Sequence, residues 1–200
     1  PGIEPWVHRM KFKFWRLLPA LGFSFACMAQ ASVEDAKAGV DAFHSMLTEM
    51  MQMPEQGLRE SYIREKVVML FDVSRIAKVS VGRNWLRLDD DQRGDFEGVL
   101  VELIVATYAD RFDKYKGQTF RVVGVHEMKK GIVVRSELLP RDGEPVKLDY
   151  FFRDGKVFNV AADGVSDLSL RRADYSRVMK DRGFDALIGH LRDKVKETRR

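Results

Sequence analysis

Three histidines lie beyond the first 31 residues, His44, His126 and His190, and they are the first places to look for metal or acid–base chemistry. They are 82 and 64 positions apart along the chain and no cysteine accompanies them, so no metal-ligand spacing is present. The run Asp89-Asp90-Asp91 offers hard oxygen ligands for a cation. It also stands directly before an apolar-periodic segment, where an N-cap and first-turn carboxylates complement a helix macrodipole, and that is the simpler reading. No serine occupies a G-x-S-x-G elbow, and neither a P-loop nor a G-x-G-x-x-G is present. The expectation is a protein without catalytic residues, metal or cofactor.

The remaining pattern that could do work is apolar. In a helix expected over Asp91 to Tyr115, Phe96, Leu100, Ile104, Tyr108 and Phe112 recur every four residues, with Val99, Leu103 and Thr107 widening the stripe. Earlier helices are expected from Val33 to about Met51, from Leu58 to Asp72 and from Val73 to Val79. Four strands should follow, Thr119–Glu127, Ile132–Leu138, Pro145–Arg153 and Lys156–Ala162, joined by Lys129-Lys130-Gly131, Arg141-Asp142-Gly143 and Asp154-Gly155. Such tight links demand antiparallel neighbours. Strand two places Ile132, Val134, Ser136 and Leu138 on one face, and strand three places Val146, Leu148, Tyr150 and Phe152 there too. A final helical region, divided at Gly183, closes the chain. The fold class is therefore α+β: a four-stranded or slightly larger antiparallel curved sheet covered by N- and C-terminal helices. Periodicity does not decide whether the greasy space between the layers is a solid core or a cavity.

Composition narrows the setting. Lys11, Lys13 and Arg16, the uncharged stretch Leu17 to Met28 and Ala29-Gln30-Ala31 have the order of a cleavable signal peptide, so Met10 to Ala31 is expected to direct export. Pro1 to Arg9 precede the plausible start and stand outside the fold reasoning, leaving residues 32–200 as one domain. The whole chain has 34 Lys+Arg and 30 Asp+Glu. Taking away four basic residues and one acidic residue with the first 31 leaves 30 and 29, a net charge of about +1. A nucleic-acid partner loses its support, and the loss of Cys27 removes thiol chemistry.

Several segments in order carry a resemblance. They are Phe71-Asp72 with Arg75-Ile76-Ala77, Val81-Gly82-Arg83-Asn84-Trp85, Gln92, Phe96, Thr107-Tyr108-Ala109, Tyr115-Lys116-Gly117, the Pro145-to-Arg153 strand, Asp163-Gly164-Val165-Ser166, Arg171-Arg172-Ala173-Asp174-Tyr175 and Gly183-Phe184-Asp185-Ala186-Leu187-Ile188. Together they resemble the MlaC, or toluene-tolerance, family of periplasmic auxiliary proteins of ABC transport. The stretches Gly143 to Tyr150 and Asp163 to Tyr175 lean toward its hopanoid-associated HpnM branch. The sequence departs from the usual family pattern where Gly155 precedes Lys156 and where Asn159 stands in place of a common Asp.

The resemblance implies a carrier of phospholipid or hopanoid-type lipid. Its partners would be an inner-membrane ABC-type or RND-type transporter and an outer-membrane lipoprotein/porin complex. It also implies a cavity for acyl chains. The residues expected to line it are Val99, Leu100, Leu103, Ile104, Thr107 and Tyr108 from the long helix, opposite Val134, Val146, Leu148, Tyr150 and Val160. Tyr108 and Tyr150 would present hydroxyls near the mouth. The rival reading is a structural adaptor with a solid interior.

Overall fold

The computed structural model describes residues 25–200, with side chains from residue 33 onward. The segment read as an export signal lies outside the described residues except for the backbone of its last turns, which runs on into the first helix. In chain order the elements are α1 (Phe25–Met50), α2 (Gln56–Leu70), α3 (Val73–Val81), a 3-10 segment (Gly82–Arg87), α4 (Asp90–Arg111), β1 (Thr119–Met128), β2 (Gly131–Leu139), β3 (Val146–Arg153), β4 (Lys156–Ala162), β5 (Val165–Ser166) and α5 (Asp167–Thr198).

The five strands form one antiparallel sheet in sequence order. Two of its turns, Asp154-Gly155 and Asp163-Gly164, have positive φ at both central residues, the geometry of a type I′ hairpin that matches strand twist. Irregular registers between Val122 and Gly124, and between Phe151 and Phe152, interrupt the ladders, the kind of irregularity that bends a strand and sharpens its twist. Register carries the inner face across the strands. Val134 lies opposite Tyr150, which lies opposite Val160, and the next row is Ser136, Leu148 and Ala162. The expected alternation thus becomes a continuous apolar wall.

Helix α4 starts as its sequence demands. Asp89 accepts from the backbone of Gln92 while the Gln92 side chain accepts from the backbone of Asp89, a capping box followed by Asp90 and Asp91. It ends at Arg111, four residues before the expected Tyr115. Phe112 leaves helical geometry, and the backbone N–H of Tyr115 is spent on the carbonyl of Met51, turning the chain toward β1. The C-terminal helix breaks at Gly183, with φ 83° and ψ −174°, as expected. A feature not anticipated joins the layers: Phe71 forms a parallel bridge with Val157, and the N–H of Asp72 donates to the carbonyl of Val157. Asp72 then caps α3 and holds Arg75, which reaches Asp154 in the β3–β4 turn.

Two charged residues of α2, Arg59 and Glu60, are buried for structural reasons. Arg59 donates to the carbonyls of Ala109, Met53 and Pro54, satisfying acceptors in the last turn of α4 and in the connection between α1 and α2. Glu60 accepts from Arg199, which also reaches Glu102, so the C-terminal end is tied to α2 and α4.

Candidate functional site

Helix α4 packs on α2, α3 and α5, while α1 crosses β1 and β2 and α5 reaches β4. The backbone of α4 barely approaches the sheet, and side chains must span the interval. They do not fill it. A cavity of 390 Å³ remains between the C-terminal half of α4 and the β2–β4 wall.

Its helical side consists of Ile104, Thr107, Tyr108, Arg111 and Phe112, with Phe71 and Ile76 below. The sheet contributes Leu138, Val146, Leu148, Tyr150, Phe158, Val160 and Ala162. Val165, Leu168 and Leu170 bring the start of α5 to its rim, and the polar members are Asn159, Asp167, Arg111 and Arg171. Aromatic contacts brace the apolar end: Phe43 meets Phe71, Tyr108 and Tyr150 edge-on, and Tyr108 stacks on Phe112. At the rim, Val165 and Leu170 are 55% and 59% exposed, an apolar lip on the surface.

Seven of the expected residues are brought together at this cavity: Ile104, Thr107, Tyr108, Val146, Leu148, Tyr150 and Val160. Four are not. Val99 and Leu100 belong to the half of α4 sealed by its helical neighbours, where Phe96 packs edge-on against Tyr175. Leu103 is turned toward α5 and lines a different crevice. Val134 is fully buried in β2, at the part of the sheet that α1 covers. The apolar stripe of α4 is therefore core in its first half and cavity wall in its second.

Tyr150 also departs from expectation. Its hydroxyl is not at the mouth; it lies 3.1 Å from Nε2 of His44, in the core, and the residue is 1% exposed. His44 in turn stacks on Phe120, and burial lowers its pKa to about 4 against a weak opposing pull from Asp41, so its ring is neutral at pH 7. Burial likewise pushes the Tyr108 and Tyr150 phenols upward, keeping both protonated. Neither hydroxyl is a candidate acid or base.

Residues the sequence reading missed include Phe112 and Phe158. Both had a signal: Phe112 continues the four-residue stripe, and Phe158 shares strand parity with Val160. Asn159 had none. Its Oδ1 accepts from the Ser166 hydroxyl and the Leu168 N–H, fixing the start of α5 beside the cavity. Arg171, half-buried beside the rim, donates from Nε to Asp167 and from Nη1 to the Tyr175 hydroxyl.

A second, charged crevice of 430 Å³ adjoins the rim. Thr107, Arg111, Asp167, Leu170 and Arg171 line both spaces, while Leu103, Asp110, Asp174, Tyr175, Lys194, Glu197 and Thr198 line the crevice alone. Asp174 accepts from Lys194 at 2.7 Å and lies 2.8 Å from His190. Burial would raise its carboxyl, but the hydrogen bonds from Lys194 and His190 outweigh it and hold the pKa at about 2. Among the described residues, no group of three or more His, Cys, Asp or Glu is placed to hold a metal ion. No described helix is long and apolar enough to cross a membrane.

The fold and the site define an α+β domain built around an apolar cavity between its layers. The chain belongs to the MlaC family: the family model for the MlaC protein matches residues 37–193. No curated protein sequence matches it. Among solved structures it is similar to a phospholipid-binding protein from Ralstonia solanacearum, determined in complex with a phospholipid at 1.53 Å. The TM-score is 0.73 over 84% of this chain and 99% of that one, at 20% identity, a likeness of fold.

Proposed function

We propose that this chain is a periplasmic lipid carrier that receives a phospholipid, or a hopanoid-type lipid, from one membrane complex and delivers it to another. The observation that carries the reading is the apolar cavity between α4 and the sheet. Family membership and a phospholipid-holding protein of the same fold support it.

The physics asks for such a space. Each methylene kept from water is worth about 0.8 kcal/mol, so exposing two long acyl chains costs on the order of 20 kcal/mol. A carrier must cover most of that surface and needs no reaction to be useful. At 390 Å³ the cavity sits near the lower end of the range for small-molecule sites, roughly 300–1,000 Å³. Ile104, Tyr108, Leu148 and Val160 would contact the acyl chains, with the head group toward the rim where Arg111, Asp167 and Arg171 stand. Directional transfer then comes from partners, an outer-membrane lipoprotein/porin complex on one side and an ABC-type or RND-type transporter on the other. Affinity alone gives no direction.

The test is native mass spectrometry of protein purified under mild conditions, with extraction and identification of what it carries. A co-purifying lipid is expected, and its identity separates phospholipid from hopanoid. Repeated recovery of lipid-free protein that also takes up nothing from liposomes would overturn carriage and favour the structural adaptor.

A further inference from the structure

Helix α5 is two helices joined at a reversal. Asp174 meets Lys194 at 2.7 Å and His190 at 2.8 Å, residues 20 and 16 positions further along the chain. A straight helix would hold them about 24–30 Å away. Residues 167–182 and 184–198 therefore lie side by side, and Gly183, at φ 83° and ψ −174°, is where the chain turns back. That backbone conformation is open essentially to glycine alone. No other part of the fold comes within 4 Å of the place a Cβ would take there, so the turn stands clear on that side. The two halves are held differently. The second is tied at its far end, where the Thr198 carbonyl accepts from Gln56 and Arg199 pairs with Glu60 and Glu102. The first carries the cavity rim at Leu168, Leu170 and Arg171, and rests on the core through Leu168, Tyr175 and Val178. Among the described residues, every ion pair that crosses from one half to the other runs through Asp174.

We propose that residues 167–182 form a lid on the cavity, hinged at Gly183 and latched where Asp174 meets Lys194 and His190, and that this latch sets how fast cargo enters and leaves. The cargo role rests on the lipid-carrier reading; the hinge and latch rest on the geometry of α5. Leu170 lies 13 positions from the hinge, about 20 Å along the helix, so a swing of about 10° at the glycine moves the rim by roughly 3 Å. Asp174 acts at about two-thirds of that arm, well placed to oppose the swing. Its burial suits a contact that opens and recloses. The side chains of Asp174 and Lys194 are 22% and 40% exposed, so parting them returns both charges to water rather than stranding them. They are also sheltered enough to hold, unlike a pair on the open surface.

The experiment has two readouts on the full chain. Hydrogen exchange followed by mass spectrometry reports opening of the lid without any lipid, and transfer of pyrene-labelled phosphatidylcholine from loaded protein to phosphatidylcholine vesicles reports cargo release. Asp174→Asn should speed exchange over residues 167–176 about tenfold, the scale of one charge-assisted hydrogen bond, and leave β1 to β3 unchanged. Lipid transfer should quicken severalfold. Exchanging the charges, Asp174→Lys with Lys194→Asp, should restore much of both. Arg177 pairs with Asp174 from the same half of α5, so Arg177→Gln should alter neither readout. Unchanged exchange in Asp174→Asn, exchange that rises evenly over the whole chain, or an equal effect from Arg177→Gln would overturn the latch. Faster exchange with unchanged transfer would overturn its control of cargo. Uptake of no labelled lipid by the parent would remove carriage and the lid's part in it, while the exchange pattern would still decide the hinge.

Discussion

Acidification should destabilise this fold through one side chain, His44. The imidazole is 5% exposed, its Nε2 is committed to the Tyr150 hydroxyl and its ring is stacked on Phe120. Its pKa falls from 6.5 to about 4 because burial penalises the cation. Below pH 6.5 the unfolded chain takes up a proton that the folded chain refuses until about pH 4. The unfolded state then binds more protons, so stability falls as pH falls through that window and is flat above it. At 1.36 kcal/mol per pH unit, the interval amounts to about 3 kcal/mol, a large share of a typical domain's 5–15 kcal/mol. The assay is urea unfolding at steps from pH 7.5 to pH 4, comparing the parent with His44→Phe/Tyr150→Phe, which removes both polar partners and keeps both rings. The gap between the two should change by about 3 kcal/mol across the window in favour of the variant. Parallel pH profiles would refute the reasoning. At pH 7.5 the single variant Tyr150→Phe should lose about 1–3 kcal/mol by orphaning His44, and the double variant should recover much of it.

Leu148→Trp places a large ring in the cavity and should cut acyl-lipid uptake from liposomes severalfold without lowering the melting temperature; undiminished uptake would put the acyl chains elsewhere. Leu100→Ala, in the sealed half of α4, should cost about 2–5 kcal/mol in urea unfolding while lipid is still recovered with the folded protein. Gly131→Ala should fail to accumulate or lose more than about 2 kcal/mol. The residue has φ of 137°, and an added Cβ would lie 2.1 Å from the carbonyl oxygen of Phe152. Gly155→Ala, in open space at φ 78°, should carry only the strain of about 1 kcal/mol, a contrast that thermal melts can measure.

Much of the architecture was legible because local chemistry and tertiary structure agree. Asp154-Gly155 and Gly183 announce a turn and a break, and β4 runs from Lys156 to Ala162 as the alternation indicates. The cavity wall on the sheet was readable for the same reason: period two and antiparallel register put Val146, Leu148, Tyr150 and Val160 on one face. The helical wall was only half readable. A four-residue stripe says which residues share a face, not which neighbour meets each stretch of it, so Leu100 and Ile104 look alike in sequence. Polar partners were the least visible. His44 and Tyr150 are 106 positions apart, and the buried Arg59 and Glu60 find their partners at Ala109 and Arg199. Nothing local encodes such pairings; they follow from how α1, α2 and the C-terminus meet.

The brevity of β5 bears on how much the protein can hold. The wall of the cavity on that side is attached to the sheet by two residue pairs, Ala161 with Ser166 and Ala162 with Val165, and by the Asn159 side chain, which accepts from the Ser166 hydroxyl and the Leu168 N–H, and then passes into α5. At about 1 kcal/mol net per hydrogen bond, parting the ladder bonds and the two Asn159 bonds costs about as much as five methylenes gain on leaving water. The sheet is open, so this displacement leaves the ladders from β1 to β4 intact, whereas a closed barrel would have to rupture. On the carrier reading proposed above, the 390 Å³ is a resting volume rather than a capacity, and the cargo would contribute to the work of enlarging its own container.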